Sequence, residues 1–275
     1  MIKRVGLIGL GKMGHPMVRH LLRGGHVVAA YDIEPQAVKR AVELGATACA
    51  NPREVAAQSE LTIIVVGFDN EVLDVLAGKD GVLAGATPNS VIAVASTVYP
   101  ETMKVIALDA GKLGKGISVV DIPLCRGEPA AEAGKLLMLV GGEEAVLSRC
   151  RPAFSCFADD IFLLGSHGAG QVGKMINNLL LWASVCANHE GLKLAAALGV
   201  EPERLREALL KSSGRNWALE TWVQARPMPW AEKDMAIVMH EADTARLSLP
   251  LSGVIREVIK AVKRELGAAT PVARK

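Results

Sequence analysis

Short runs of branched apolar residues alternate with amphipathic segments along the first 165 positions of the chain. The apolar runs predict strands at 4–8, 26–31, 61–66, 91–95, 117–121, 136–140 and 160–164. Between them, apolar residues recur at helical spacing, as in 71–76 and 101–113, which predicts helices. This alternation favours an α/β domain with a doubly wound, mostly parallel sheet, whose ligands bind at the carboxyl ends of the strands.

A long apolar segment follows the last predicted strand. Residues 168–199 open with glycines, contain no proline, and are apolar nearly all round between Leu179 and Ala187. Because a helix that is apolar on every side is normally buried on every side, we expect an interdomain helix over about 171–198 that packs against two domains. Gly199 then supplies a left-handed stop.

Strand patterns stop after this helix. Helical patterns continue over 202–211, 217–223, 231–247 and 251–266, and breaks at Gly214, at 227–229 and at Pro250 separate them. The sequence therefore predicts an α/β domain over 1–165 and an all-α domain over 166–275, whose last residues, 267–275, are expected to fray.

A glycine-rich turn joins the first predicted strand to the first helix. It reads Gly9-Leu10-Gly11-Lys12-Met13-Gly14, and the next strand ends at Asp32, 18 residues after Gly14. This is the Rossmann-type dinucleotide fingerprint, in which the glycines approach the pyrophosphate and the acid accepts hydrogen bonds from the ribose. A carboxylate repels a 2′-phosphate, so Asp32 favours NAD over NADP. The alternative is a tight structural turn with a solvated aspartate.

Charge and cysteine content exclude several classes of protein. The net charge is +2 and the charges are interspersed, so we expect no nucleic-acid partner. The five cysteines form no metal-ligand pattern and are expected to be free thiols in a reducing compartment. We see no signal peptide and no apolar run of the roughly 18 residues that a membrane span needs. These features favour a cytoplasmic protein that meets no membrane and holds no metal.

The first turns of the long helix carry Lys174, Asn177 and Asn178. Lys174 and Asn178 are four positions apart and share a helix face. A lysine in this position can lay its stem along apolar surface with its charge in water. It can instead be desolvated and become a proton donor and acceptor. The residues alone leave both interpretations open.

Four separated motifs resemble the β-hydroxyacid dehydrogenase family, which includes 3-hydroxyisobutyrate dehydrogenase and tartronate semialdehyde reductase. The resemblance covers most of the chain. The matching residues are GLGKMGHPM at 9–17, Ser96-Thr97 with Pro100, Gly168-Ala169-Gly170 with Lys174 and Asn178, and Lys233-Asp234. The resemblance implies that Lys174 and Asn178 are catalytic. It implies cofactor contacts from Gly9, Leu10, Gly11, Lys12, Met13, Gly14, Asp32, Phe68, Thr97 and Lys233, and substrate contacts from Ser96, Cys125, Arg126, Gly127 and Asn177.

The activity implied by the resemblance is reversible hydride transfer between NAD and a small 3-hydroxy acid or its semialdehyde. Lys174 would act as general acid and base, in a homodimer or homotetramer. Three alternatives stay open. An NADPH-preferring semialdehyde reductase of the succinic or glyoxylic type uses the same chemistry, but Asp32 counts against it. Imine-reducing relatives and a catalytically silent NAD-binding scaffold would both lack the lysine.

The substrate loop departs from the family pattern. Relatives usually read DAPVSGG where this chain reads DIPLCRG at 121–127, so Cys125 replaces a serine and Arg126 replaces a glycine. The stretch between Trp217 and Lys233 also looks shorter than usual and holds prolines at 227 and 229. We expect Arg126 either to bind a substrate carboxylate through its planar guanidinium or to be a solvated surface arginine.

Overall fold

The computed structural model describes residues 2–222 and 228–272. These residues form two compact units, one ending at Lys174 and the other running from Met175 to Val272. The predicted helix end at Val223, the break at Pro227 and the last part of the tail, 273–275, lie outside the described residues.

The first unit is built on one sheet, which has nine strands within the described residues. Their order is β3-β2-β1-β4-β5-β6-β8-β7, with β9 beside β8. The pairs from β3 to β6 are parallel, β8 is antiparallel to β6 and β7, and β9 is parallel to β8. The strands are β1 (Arg4–Ile8), β2 (Val27–Tyr31), β3 (Thr47–Ala48), β4 (Leu61–Ile64), β5 (Val91–Val94), β6 (Ser118–Asp121), β7 (Leu124–Cys125), β8 (Leu136–Gly141) and β9 (Ala158–Gly165).

Helices cover both faces of this sheet. Alternate strand residues point to opposite faces, so Leu7 joins one buried apolar cluster and Ile8 joins the other. This arrangement confirms the doubly wound, mostly parallel domain predicted from the sequence. The helices are α1 (Gly14–Arg23), α2 (Pro35–Glu43), α3 (Pro52–Ala57), α4 (Asp69–Ala77), α5 (Val82–Gly85), α6 (Pro100–Lys112), α7 (Gly127–Ala133), α8 (Glu144–Phe154) and the start of α9 (Ala169–Ala197).

The second unit is all helical in its described part. After α9 come α10 (Pro202–Leu209), α11 (Trp217–Glu220), α12 (Ala231–Thr244) and α13 (Pro250–Glu265). Its core packs Trp182 and Val185 of α9 against Met235 of α12 and Ile259 of α13. None of the helices within residues 2–222 and 228–272 is long and apolar enough to cross a membrane.

The burial of α9 differs from the sequence expectation. Trp182 is buried, but Leu180 is 63 % exposed and Leu194 is 60 % exposed. The expectation that this helix is buried on every side is therefore wrong for the single chain. The apolar pattern indicated that every face of the helix could be buried. In the single chain, however, the faces that carry Leu180 and Leu194 remain exposed.

Candidate active site

The glycine-rich turn leads from β1 directly into α1. Gly9 has φ +93°, and a Cβ on Gly14 would lie 1.9 Å from the Gly9 carbonyl oxygen, so both positions require glycine. Gly11 is exposed, and a Cβ added there would meet no atom within 4 Å. The turn thus leaves its middle open beside the N-terminus of α1, which fits the pyrophosphate of a dinucleotide.

Asp32 lies at the end of β2, beside this turn. Its Oδ2 accepts a hydrogen bond from the Leu10 backbone N–H at 2.6 Å, and its Oδ1 accepts one from the Glu34 N–H at 2.8 Å. Two backbone donors therefore fix a half-buried carboxylate next to the glycines. A carboxylate in this position can accept hydrogen bonds from the ribose hydroxyls, and its charge repels a 2′-phosphate.

The side chains of the other three residues of the turn contact other parts of the protein. Leu10 is fully buried and Met13 packs against the main apolar cluster. Lys12 is exposed, and its ammonium lies 3.1 Å from the Glu128 carboxylate of α7. These three positions therefore offer a cofactor mainly their backbone.

Side chains tie the loops after β4 and β5 together. The Ser96 hydroxyl oxygen accepts a hydrogen bond from the Val66 N–H at 2.8 Å, and Ser96 is only 3 % exposed. Asp69 Oδ1 accepts hydrogen bonds from the Tyr99 N–H at 3.0 Å and from the Thr102 hydroxyl at 2.9 Å. Phe68 and Thr97, the predicted cofactor contacts in these loops, are both half-buried.

The start of α9 is fixed by Asp121 and Gln171, two residues to which the sequence analysis assigned no role. Asp121 accepts hydrogen bonds from the N–H groups of Gly168, at 2.8 Å, and Gln171, at 2.9 Å. The Gln171 side chain accepts one from the Val98 N–H at 3.1 Å and donates one to the Ser96 carbonyl oxygen at 2.9 Å. Burial raises the pKa of the Asp121 carboxyl, and the two backbone hydrogen bonds oppose part of the rise.

One signal in the sequence pointed to these two residues. Each is a polar residue with apolar or glycine neighbours at the end of a predicted strand or the start of a predicted helix. Their partners lie about 50 to 75 residues away in the chain, so this local signal did not indicate which groups they contact.

Lys174 contacts the loop at 121–127. Its Nζ donates a hydrogen bond to the Leu124 carbonyl oxygen at 2.6 Å and lies 4.0 Å from the Cys125 Sγ. Cys125 is 4 % exposed; burial raises the pKa of its thiol, with the charge of Lys174 acting in the opposite direction. The structure thus brings together the predicted catalytic lysine and the residue that replaces the family's serine.

The side chain of Arg126 is bound to acceptors of the protein. Its guanidinium forms ion pairs with Asp159, at 2.7 Å, and with Asp160, and it donates a hydrogen bond to the Lys135 carbonyl oxygen at 3.2 Å. The expected contact with a substrate carboxylate would have to displace these protein acceptors. Gly127, with φ +73°, follows as an exposed residue and begins α7.

The second unit holds the other predicted residues. The Asn177 amide donates a hydrogen bond to Asn178 Oδ1 at 3.0 Å; Asn177 is exposed and Asn178 is buried. Lys233 Nζ lies 5.5 Å from the centroid of the Trp230 ring. The indole N–H of Trp182 donates a hydrogen bond to the neighbouring Asp234 at 2.9 Å, which helps to fix this part of α12.

Comparisons with known proteins match both parts of the chain. Residues 4–165 match the family of the NAD-binding domain of 6-phosphogluconate dehydrogenase. Residues 168–273 match a family described as the NAD-binding of NADP-dependent 3-hydroxyisobutyrate dehydrogenase.

Individual relatives agree. The chain is 33 % identical to 2-(hydroxymethyl)glutarate dehydrogenase of Eubacterium barkeri, over 94 % of this chain and 88 % of that protein. It is 33 % identical to 3-hydroxyisobutyrate dehydrogenase of Pseudomonas aeruginosa, over 92 % and 90 % of the two chains. The solved structure of Mycobacterium tuberculosis 3-hydroxyisobutyrate dehydrogenase with L-serine superposes with a TM-score of 0.86, at 25 % identity, over 98 % and 97 %.

The fold and the glycine turn with its aspartate define a dinucleotide-binding protein, and the similarity to hydroxy-acid dehydrogenases makes it an NAD-binding oxidoreductase that acts on CH–OH groups. The matches over nearly the whole chain are more specific. The chain belongs to the β-hydroxyacid dehydrogenase family.

Proposed function

We propose that this protein is an NAD-dependent dehydrogenase that interconverts a small 3-hydroxy acid and its semialdehyde or keto acid, with Lys174 as the general acid and base. The observation that carries the proposal is the contact of the Lys174 ammonium with the Leu124 carbonyl oxygen at 2.6 Å. This contact places a half-buried amine on the loop that follows β6, and β1, β4, β5 and β6 are adjacent parallel strands. Ligands of such sheets bind at the carboxyl ends of the strands, where the glycine turn also lies.

The protein's part in the chemistry is position and proton transfer. Bound NAD supplies the acceptor for the hydride that leaves the alcohol carbon. Lys174, in its neutral form, takes the hydroxyl proton during oxidation, and its ammonium returns a proton to the carbonyl oxygen during reduction. Such a proton transfer contributes about 10²–10⁴ to the rate. Asn178, one helical turn further along α9, is proposed to hold the reacting oxygen, with Asn177 as a further substrate contact.

NAD is the cofactor that the nucleotide site fits. Asp32 is held by two backbone N–H groups and presents a carboxylate where NADP would carry its additional phosphate. Thr97, Phe68 and Lys233 are proposed to contact the cofactor in addition to the turn at 9–14.

The substrate is proposed to be a hydroxy acid whose carboxylate end meets Ser96 and the loop at 125–127, where protein acceptors already hold the Arg126 guanidinium. The Ser96 oxygen already accepts a hydrogen bond from the Val66 N–H, so we propose that its hydroxyl group donates a hydrogen bond to the substrate. Cys125 is a weaker donor than the serine of the family pattern. We therefore propose a substrate that needs no strong hydrogen-bond donor at Cys125 and that binds through an apolar or larger tail.

Exposed leucines on α9 and directly after it support a homo-oligomer, a dimer or a tetramer. Leu180, Leu194 and Leu198 are all at least 60 % exposed in the single chain. Apolar residues in such number mark a surface that a partner covers. The five free thiols support a reducing compartment such as the cytoplasm. Light scattering of the purified protein measures the number of subunits, and a monomer at micromolar concentration would contradict the oligomer.

The test is a substrate screen with both cofactors. The purified protein is assayed with NAD and NADP against 3-hydroxyisobutyrate, 2-(hydroxymethyl)glutarate and L-serine, and in reverse with small semialdehydes. We expect turnover of at least one hydroxy acid with NAD. Turnover confined to semialdehydes with NADPH would replace the proposal with the reductase alternative.

Variants of Lys174 test the mechanism. Lys174→Met and Lys174→Arg should lose turnover by about 100-fold or more, because neither side chain exchanges a proton near neutral pH. NAD binding, measured by calorimetry, should persist. Lys112→Ala, which removes an exposed lysine of α6, is the matched control and should keep full activity. A Lys174→Met variant with more than about a tenth of the rate would remove this residue from the mechanism.

A further inference from the structure

Arg126 has an unusual backbone for its residue type. Its φ is +80°, in the left-handed region that favours glycine, and Gly127 follows with φ +73°. A non-glycine residue in this region carries a cost in conformational energy and persists only where the surroundings hold it there. The contacts of the Arg126 side chain are the first candidates for that restraint.

Three acceptors hold the guanidinium. Nη1 donates to Asp159 Oδ1 at 2.7 Å and to the Lys135 carbonyl oxygen at 3.2 Å, and Nη2 donates to Asp160. The planar group thus spans two carboxylates, a geometry that a lysine ammonium does not reproduce. With about a third of the side chain exposed, these ion pairs are screened only in part.

The register of the sheet shows which strands this side chain connects. Cys125 of β7 pairs with Leu137 of β8, and Leu137 pairs with Asp160 of β9. Strand β7 lies on one edge of β8 and β9 on the other. Arg126 therefore reaches past β8 and links the end of β7 to β9.

The other contact of β7 is with Lys174. The carbonyl oxygen of Leu124 accepts the hydrogen bond from its Nζ, and Cys125 Sγ lies 4.0 Å from the same nitrogen. Strand β7 has only these two residues, so it has few ladder hydrogen bonds of its own to hold it. Its position therefore depends on the restraint of its neighbours in the chain, and Arg126 is the next residue.

We infer that Arg126 is a positioning residue: clamped to Asp159 and Asp160, it holds the Leu124–Cys125 strand in place against the Lys174 ammonium. This inference rests on the proposed function of Lys174. It assigns Arg126 to the rate of the proton-transfer step and not to binding of the substrate carboxylate.

The two roles differ in which kinetic constant they change. A displaced Leu124 carbonyl oxygen misplaces the lysine, and small misplacements at a reacting centre cost up to about 100-fold in rate. Loss of a substrate-binding arginine raises KM by roughly 10- to 100-fold instead, since hydrogen bonds to charged groups contribute about 1.5–3 kcal/mol. A solvated arginine would change neither.

The decisive variant leaves Arg126 in place. Asp159→Ala combined with Asp160→Ala removes both carboxylates and releases the guanidinium. A substrate-binding arginine would then be more available, and KM would fall or stay the same. A positioning arginine would lose its anchor, and kcat would fall as it does in Arg126→Ala.

The experiment measures kcat and KM with NAD and 3-hydroxyisobutyrate, or with whichever acid of the screen is turned over fastest. Arg126→Ala and the double aspartate variant should each lower kcat by about 10-fold or more and change KM less than about threefold. The triple variant should have nearly the same kcat as Arg126→Ala, because Arg126→Ala and the double aspartate variant break the same ion pairs. Arg126→Lys, which keeps one ion pair, should restore part of the rate.

The split between kcat and KM, together with rescue by the conservative variant, gives a readout that a merely structural role would not move. Arg126→Lys keeps one ion pair, so its kcat should lie between those of Arg126→Ala and the unmodified protein while KM stays the same. Arg4→Ala, which removes an exposed arginine paired with Glu60, is the control and should leave kcat and KM unchanged.

The outcomes separate this inference from the proposed function. If Lys174→Met keeps its activity, the proposed catalytic role of Lys174 fails first, and the inference fails with it. If Lys174→Met is inactive while Arg126→Ala and the aspartate double variant keep the kcat of the unmodified protein, the inference alone is wrong. An increase in KM at constant kcat would also overturn it, in favour of substrate binding. Should Arg126→Ala fail to fold, Arg126→Lys and the aspartate variant decide the question by the same criteria.

Discussion

Replacing Gln171 with leucine tests whether the start of α9 holds the loop after β5. The side chain is 1 % exposed, and it accepts a hydrogen bond from the Val98 N–H and donates one to the Ser96 carbonyl oxygen. Leucine has a similar volume and neither polar group. The substitution therefore removes two hydrogen bonds while it leaves the packing of the helix start nearly unchanged.

The magnitude follows from the partners that stay behind. A buried polar group that loses its partner costs about 1–3 kcal/mol, and here one backbone donor and one backbone acceptor are affected. The leucine recovers part of this through its apolar surface, so we expect a net loss of about 2–4 kcal/mol in the free energy of unfolding. For a domain of this size that corresponds to a fall in Tm of about 5–10 °C.

The assay is thermal unfolding with and without NAD. Because Thr97 lies between the two hydrogen-bonded residues, we also expect a weaker affinity for NAD in Gln171→Leu. Gln36→Leu, at an exposed position of α2, is the matched control and should change Tm by less than about 2 °C. A Tm and an NAD affinity equal to those of the unmodified protein would show that the loop is held without Gln171.

Two further substitutions test the cofactor site and the second unit. Asp32→Ala should lower kcat/KM for NAD by about 10- to 100-fold. We expect the unmodified protein to prefer NAD over NADP by at least about tenfold in kcat/KM, and this preference should be smaller in the variant. Equal kcat/KM with both cofactors in the unmodified protein would contradict the reasoning. Glu232→Gln should destabilise the second unit by about 3 kcal/mol, because it leaves the buried ammonium of Lys263, 2.8 Å from Glu232, without its carboxylate. Hydrogen bonds from Lys263 and then Thr270 lower the pKa of Glu232, so its stabilisation is present at neutral pH and is lost as the pH falls through the lowered value. Unfolding in urea at about pH 7 and about pH 4 measures both effects, and a variant as stable as the unmodified protein at neutral pH would refute the second.

The sequence predicted well the elements that local pattern determines. The run at 4–8, the glycines after it and the apolar periodicity of α1 all lie within about 20 residues, and each carries its own signal. The same holds for β4, β5 and β8, where most residues are apolar because both faces of the sheet are covered.

Two strands escaped prediction for a physical reason. Strands β3 and β7 have two residues each, too few to show a period. Strand β7 exists because an antiparallel neighbour, β8, offers it hydrogen bonds at Leu137 and Met138. No property of Leu124 and Cys125 alone indicates that neighbour.

Arg126 illustrates the limit for the site. Its place in the loop after β6 was clear from the sequence, but its direction was not, because the carboxylates that attract it are 33 and 34 residues further along the chain. The same applies to α9: the pattern predicted a buried helix, but it did not show that Leu180 would be exposed in the single chain.

The contacts at the start of α9 bear on how the substrate loop could depart from the family pattern. Gln171 ties the helix to the end of β5, Asp121 ties it to the end of β6, and Lys174 reaches β7. The first two contacts do not involve Cys125 or Arg126, so they do not depend on these two positions of the loop. A change from serine and glycine to cysteine and arginine can therefore alter the loop without moving the backbone of Lys174. If the inference about Arg126 is right, its ion pairs with Asp159 and Asp160 fix the carbonyl oxygen opposite the lysine in this chain.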